Sequence, residues 1–265
     1  MRGPGSPDAG APEPERPDPG EHGESGRSGK RRRGKRRRRL SFWVELPVLI
    51  VVALGLAFLF QNFVARVYSI PSESMETTLH GCTGCYGDKI LVDKVVFDFT
   101  EPAPGDVTVF RGPPAWLLRE GPQARPANPV VWFFQQVGSV FGLSAPDERD
   151  FVKRIIAVGG QTVSCCDSEN RVLVNGKPLT EPYLYWDDPG NQHQQSFPPV
   201  TVPPGTVWVM GDNRNNSCDS RCQGDGGSNG VVPVSDIIGK ARFIVLPPSR
   251  WGGVSDINPQ TGQAP

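Results

Sequence analysis

A chain of 265 residues with 37% hydrophobic side chains can bury one soluble core of about 200 residues and still carry appendages. Its 28 basic and 28 acidic residues cancel, yet residues 1–40 hold a net +6 and the remainder −6. That division excludes a uniformly basic nucleic-acid binder and places the positive charge in one terminal segment.

Residues 1–29 are dominated by Pro, Gly, Ser and Glu, with too few apolar side chains to offset the entropy of ordering, and read as a disordered tail. Lys30 to Arg39 then supplies nine cations. Such a block suits nucleic acid in isolation, but its neighbour points to a membrane. Leu46 to Phe60 runs without a charge, and Phe42, Trp43, Phe63 and Val64 extend it to bilayer thickness. Trp43 and Tyr68 stand where interfacial aromatics belong. No small-x-small cleavage site follows Phe60, so residues 41–65 read as a retained signal anchor rather than a removed leader. The cations beside it predict a single-pass type II arrangement in the cell membrane. Residues 1–40 lie in the cytoplasm near anionic lipid, the rest lies outside, and nucleic acid is not an expected partner.

Beyond the anchor, short β-branched runs separated by turn signals predict a mainly β, antiparallel, barrel-like body over residues 66–250. Strands are expected at Ile90 to Val96, Val107 to Phe110, Phe151 to Val158, Val172 to Val174, Thr206 to Met210 and Ile237 to Leu246. Asn175-Gly176 marks a tight hairpin. A helix is conceivable only at Val130 to Val140. Insertions are expected near 112–148 and 165–205, with a C-terminal tail over 251–265. The first insertion holds Trp116, Trp132, Phe133 and Phe134, which suit either a flap over the core or a surface facing the membrane.

The chemistry centres on Ser69-Ile70-Pro71-Ser72-Glu73-Ser74-Met75, which sets two serines just past the anchor. A serine hydroxyl must give its proton to a base during attack. The best candidate is Lys153 in Phe151-Val152-Lys153-Arg154-Ile155-Ile156-Ala157-Val158. On an extended strand Phe151, Lys153, Ile155 and Ala157 share a face. Apolar neighbours there would lower an amine pKa from about 10.4 by desolvation. The plainer alternative is a lysine reaching from a strand edge to water. A third segment, Gly211 to Arg221, is dense in small polar side chains at the end of a strand, suited to a hydrogen-bonded loop.

Together these segments resemble the bacterial type I signal peptidases, Ser-Lys membrane proteases, in their actinobacterial form. Pro71-Ser72-Glu73-Ser74-Met75, Gly87-Asp88-Lys89-Ile90-Leu91-Val92, Lys153 to Gly160 and Gly211 to Arg221 follow the family's order, and the likeness spans roughly residues 41–250. The resemblance implies Ser74 as nucleophile and Lys153 as general base. It implies an oxyanion hole from the Ser72 hydroxyl and the Ser74 amide, and Ser217 orienting the lysine. Arg154, Asp212 and Arg221 would be structural charges and Met75 a lining residue, with neither cofactor nor metal. It further implies signal peptides of exported preproteins as substrates, cut after small residues in an Ala-x-Ala pattern, and the protein translocase as a neighbour. Two shallow apolar pockets are then expected beside Ser74, with Ile70 a candidate for their lining. Two departures stand out: Thr77 where the family commonly has proline, which frees the local backbone, and Cys218 where a small residue is usual.

Cys82, Cys85, Cys165, Cys166, Cys218 and Cys222 are expected in disulfides of undetermined connectivity. A zinc site of Cys82, Cys85, Cys218 and Cys222 is the alternative. His80 lies near Ser74, but no G-x-S-x-G elbow supports a Ser-His-Asp triad. Two other classes compete with the protease. One is an anchored β module that binds secretory partners without catalysis. The other is a self-cleaving Ser-Lys repressor relative, which should carry a DNA-binding domain in place of the basic tail.

Overall fold

The computed structural model describes residues 42–82, 87–120, 150–223 and 227–263. Two compact units divide between Glu45 and Leu46, and of the first only the opening of a helix, Phe42 to Glu45, is described. That helix, α1 (Phe42–Phe63), has 22 residues and is about 33 Å long. Its side chains are apolar nearly all round and none is buried, so it is long and apolar enough to cross a membrane.

All named strands of the body pair antiparallel. The larger sheet holds β1 (Ala65–Ser69), β2 (Lys89–Asp93), β3 (Val107–Arg111), β4 (Asp150–Val158), β9 (Thr206–Met210), β10 (Val232–Pro233), β11 (Ile237–Leu246) and β12 (Gly252–Gly253). Its order is β1-β2-β11-β3-β4-β9-β10, with β12 added alongside β11. The smaller sheet, order β7-β6-β5-β8, is built from β5 (Thr162–Cys165), β6 (Val172–Val174), β7 (Lys177–Pro178) and β8 (Phe197–Thr201). Residues 165–205 thus supply most of a second layer. Pro198 and Pro199, which cannot donate to a ladder, lie on β8 at its edge.

Local chemistry explains the boundaries. Asn175 (φ 51°) and Gly176 (φ 74°) both take the left-handed conformation that a two-residue hairpin between β6 and β7 requires. The strand expected over Ile90 to Val96 stops instead at Asp93, because the Asp93 carboxylate accepts the amides of Val95 and Val96 at 3.1 and 3.2 Å. That side-chain turn starts the short helix α2 (Val96–Phe99). Likewise β1 ends at Ser69, and Pro71 brings no amide to extend its ladder.

Among the described residues three apolar clusters form the core. One lies between the sheets around Ile156, Val163, Phe197, Trp208 and Met210; Phe197 stacks on Trp208 with centroids 5.3 Å apart. A second, beneath β1, β2 and β11, includes Tyr68, Ile70, Met75 and Leu79. A third joins Phe110, Ile155, Val209 and Trp116. Trp116 sits on α3 (Pro114–Glu120) and meets Phe110 and Phe151 edge-to-face at 5.3 Å. It therefore belongs to the core and not to a membrane-facing surface. Trp132, Phe133, Phe134 and the helix conceivable at Val130 to Val140 lie outside the described residues.

The expected common face of β4 is also corrected. Its register against β9 breaks between Ile155 and Ala157, an irregularity that turns the strand. Phe151 and Ile155 consequently pack in the third cluster while Ala157 joins the first. The tail expected over 251–265 is, through residue 263, tied to the body: Val254 is buried, Asp256 pairs with Lys240 at 2.8 Å, and Gln260 donates to the Ile156 carbonyl at 3.0 Å.

Removing the Trp116 ring should therefore open a core cavity. Trp116→Ala is expected to cost about 3–5 kcal/mol in a urea titration, and Trp116→Phe less. A loss below about 1 kcal/mol for the alanine variant would mean that the ring does not pack as described.

Candidate active site

Ser74 lies on a single 3₁₀ turn, Glu73–Met75, that follows β1. Met75, 1% exposed, anchors the turn in the core beneath the sheet, and Leu79 donates its amide to the Met75 carbonyl at 2.8 Å. The Asn213 amide donates to the Ser74 carbonyl at 3.1 Å, and its side-chain amide donates to the Glu73 carbonyl at 3.1 Å. The turn is thereby held from inside the core and from the loop after β9. Thr77 does not leave this segment loose: Arg250 donates to the carbonyls of Thr77 and Thr78, each at 3.3 Å, and to the Asp88 carboxylate.

Lys153 comes from the middle of β4. Its ammonium nitrogen donates to Ser74 Oγ at 2.6 Å and to the Val152 carbonyl at 3.1 Å. Both side chains are nearly sealed from water, Lys153 at 5% and Ser74 at 7% exposure. Lys153 is therefore not reaching from a strand edge to solvent. Ser72 is exposed beside the pair, with its hydroxyl 3.2 Å from Ser74 Oγ. Ile70, named as a candidate for pocket lining, is buried in the second core cluster just past the end of β1, while Ser74 lies on the separate turn.

The neighbouring charges form two separate pairs. Arg154 and Asp212 meet in a bidentate contact at 2.7 and 2.8 Å with both side chains fully buried. Arg154 also donates to the carbonyls of Gly105 and Ser255 and lies 3.9 Å from the Tyr183 ring centroid. Asp212 takes a further hydrogen bond from the Thr78 hydroxyl at 2.5 Å. This pair joins β4 to the loop after β9 and to the segment behind Ser74. Arg221 pairs with Asp219 instead, again bidentately at 2.7 and 2.8 Å, so its charge is balanced inside the loop.

Asp219 is the residue that the sequence reading passed over. It lies within the polar run after Gly211, but only the folded loop shows that its carboxylate gathers Arg221, the Gly211 amide at 2.9 Å and the Ser217 hydroxyl at 2.8 Å. Ser217 spends its only proton on Asp219, so any link to the Lys153 amine must be one in which Ser217 accepts. A side chain on Gly211 would meet Ser217 Oγ at 2.3 Å and the Ser74 carbonyl at 2.4 Å, which explains why this position carries none. A second unforeseen pair, Arg214 with Glu181, is buried and binds the loop to the smaller-sheet side of the body, with Gln194 accepting from Arg214 at 2.7 Å.

Cys218 is bonded to Cys222, Cys165 to Cys166, and Cys82 is disulfide-bonded as well. Those bonds take Cys218 and Cys222 out of the zinc alternative. His80 is exposed and pairs with Glu76.

Burial alone would push the Asp219 carboxyl up, but the Arg221 guanidinium with the Gly211 and Ser217 donors reverses this and holds it below the ordinary carboxylate range. With a folded value below the unfolded one, this contribution is complete above about pH 4 and is lost as pH falls through the depressed folded value. Asp219→Asn should then lower stability at neutral pH and flatten the acid limb, read as denaturant midpoints down to about pH 2. An unchanged acid limb would contradict the linkage. Arg154→Ala, which strands the Asp212 carboxylate, should cost about 3–5 kcal/mol in the same assay, far more than removal of a surface arginine.

A family model described as signal peptidase, peptidase S26, matches residues 43–246. A probable signal peptidase I of Mycobacterium leprae is 50% identical over 249 residues, covering 86% of this chain and 84% of its own. A signal peptidase I of Mycobacterium tuberculosis is 52% identical over 233 residues, 83% of this chain and 78% of its own. The probable signal peptidase I-1 of Synechocystis is 39% identical over 204 residues, 77% and 83% respectively. With a match of this extent on both sides, the chain belongs to the signal peptidase family, peptidase S26.

Proposed function

We propose that Ser74 and Lys153 carry out the peptide hydrolysis by which this signal peptidase removes signal peptides from exported preproteins. The observation that carries the assignment is the 2.6 Å contact between Lys153 Nζ and Ser74 Oγ in a nearly dry setting. Burial disfavours the ammonium form, and a neutral amine at that distance accepts the hydroxyl proton as Ser74 Oγ attacks the scissile carbonyl. The Ser72 hydroxyl and the Ser74 amide supply the donors for the negative charge that develops on the carbonyl oxygen. Lys153 then returns the proton to the departing amine, and a water molecule, deprotonated by the same amine, releases the acyl group from Ser74.

Ser217 assists as an acceptor toward the lysine amine, its own proton being held by Asp219. Met75, Arg154, Asp212 and Arg221 support this geometry without reacting. The anchored arrangement supports the same reading: α1 spans the membrane with residues 1–40 cytoplasmic beside anionic lipid. The body then stands outside, where a signal peptide emerges from the translocase. A tethered serine reaches only bonds presented near that surface, which suits the end of a signal peptide. Substrates with small residues in an Ala-x-Ala pattern would call for shallow pockets beside Ser74.

Detergent-solubilised protein should process a preprotein with an Ala-x-Ala signal, whereas Ser74→Ala, Lys153→Ala and Lys153→Arg should each lose more than about 10³-fold in turnover. Arginine stays protonated and cannot serve as base. Substantial cleavage by the arginine variant would remove Lys153 from the mechanism. Wild-type turnover should rise with pH as the amine deprotonates, and a flat profile from mildly acidic to alkaline pH would count against it.

A further inference from the structure

The Cys218–Cys222 disulfide closes a ring of five residues around the group that steadies the candidate active site. Inside that ring, Asp219 binds the Gly211 amide and the Ser217 hydroxyl, while the Ser220 hydroxyl accepts the Val209 amide at 3.0 Å. Asp219 also accepts the amides of Cys222 and Gln223 through its carbonyl, at 3.0 and 2.9 Å. The bonds to Gly211 and Val209 point back to the end of β9, that from Ser217 closes the loop, and those from Cys222 and Gln223 shape α4 (Ser220–Gln223). Gly211, in turn, abuts the Ser74 carbonyl, and Asn213, two residues on, donates to it. A cross-link over so short a loop constrains the unfolded chain least, so its main effect falls on local geometry. Cys218 is exposed and Cys222 partly so, which leaves the bond open to a reagent in solution.

We propose that the Cys218–Cys222 disulfide is a positioning element for peptide hydrolysis, holding Asp219 and Ser217 so that the loop seats Ser74 against Lys153, and that its reduction slows turnover. The inference rests on Ser74 as nucleophile. Reduction by a dithiol breaks the S–S bond: two electrons and two protons pass from the reagent to give two cysteine thiols, and the reagent closes its own disulfide. The ring then opens beside Asp219. Misplacement of catalytic groups by a fraction of an ångström to about 1 Å costs turnover rather than binding.

The test uses full-length, detergent-solubilised protein and a preprotein substrate. Cys218→Ala/Cys222→Ala is expected to lower kcat about 10-fold with KM within about twofold. Dithiothreitol should lower wild-type kcat to a similar extent, reversibly on reoxidation, and leave the double variant unchanged. Cys165→Ala/Cys166→Ala should behave as wild type toward the reagent. A fully reduced wild type, with its thiols counted, that keeps its kcat overturns the proposal even if the double variant fails to fold; so does a rise in KM alone. Cleavage retained by Ser74→Ala would instead defeat the reading of the nucleophile, a separate outcome visible in the same assay.

Discussion

The buried pairing of Arg154 with Asp212 is the constraint on which the rest of the site depends. Neither charge has access to water, so each needs the other, and two parallel hydrogen bonds fix both planes. Arg154 is the chain neighbour of Lys153 and Asp212 that of Asn213. Locking the first pair therefore brings the lysine amine to the Ser74 hydroxyl and the Asn213 amide to the Ser74 carbonyl. Thr78 completes the link from the serine segment to the same carboxylate.

The larger sheet contributes position rather than chemistry. Lys153 is carried by β4, which lies between β3 and β9, and the serine turn leaves the edge strand β1. The two meet because residues 70–80 fold back from that edge over the second core cluster, with Ile70, Met75 and Leu79 as apolar pegs. The polar loop after β9 then covers the turn. Its buried charges are all paired, Arg221 by Asp219 within the loop, and Arg214 by Glu181 and Asp212 by Arg154 from outside it, so it can be buried without leaving an unpaired charge.

Where local reading and structure part company, the cause lies in contacts between distant segments. Strict alternation sets Phe151, Lys153, Ile155 and Ala157 on one face, but the register break against β9 sends Ala157 to a different cluster, and nothing in β4 itself announces that break. The lysine is dry because the serine turn closes over it as well as through its strand neighbours. Trp116 illustrates the same point for the aromatics: its composition suits a membrane surface as well as a core, and only α3 folding onto Phe110 and Phe151 decides between them.

The amino-acid order by itself determined the apolar helix long enough to cross a membrane, the antiparallel class, the tight turn at Asn175-Gly176 and the four motifs that mark the family. These are features of composition, period two and residue-specific backbone preference, all local. Only tertiary structure decided that Lys153 touches Ser74, that Asp212 serves Arg154 while Asp219 serves Arg221, and that the Ser217 hydroxyl donates its hydrogen bond to Asp219. Partners 58 and 79 residues apart are chosen by how sheets and loops close on one another, and desolvation, which sets the chemistry of a buried amine, exists only after that closure.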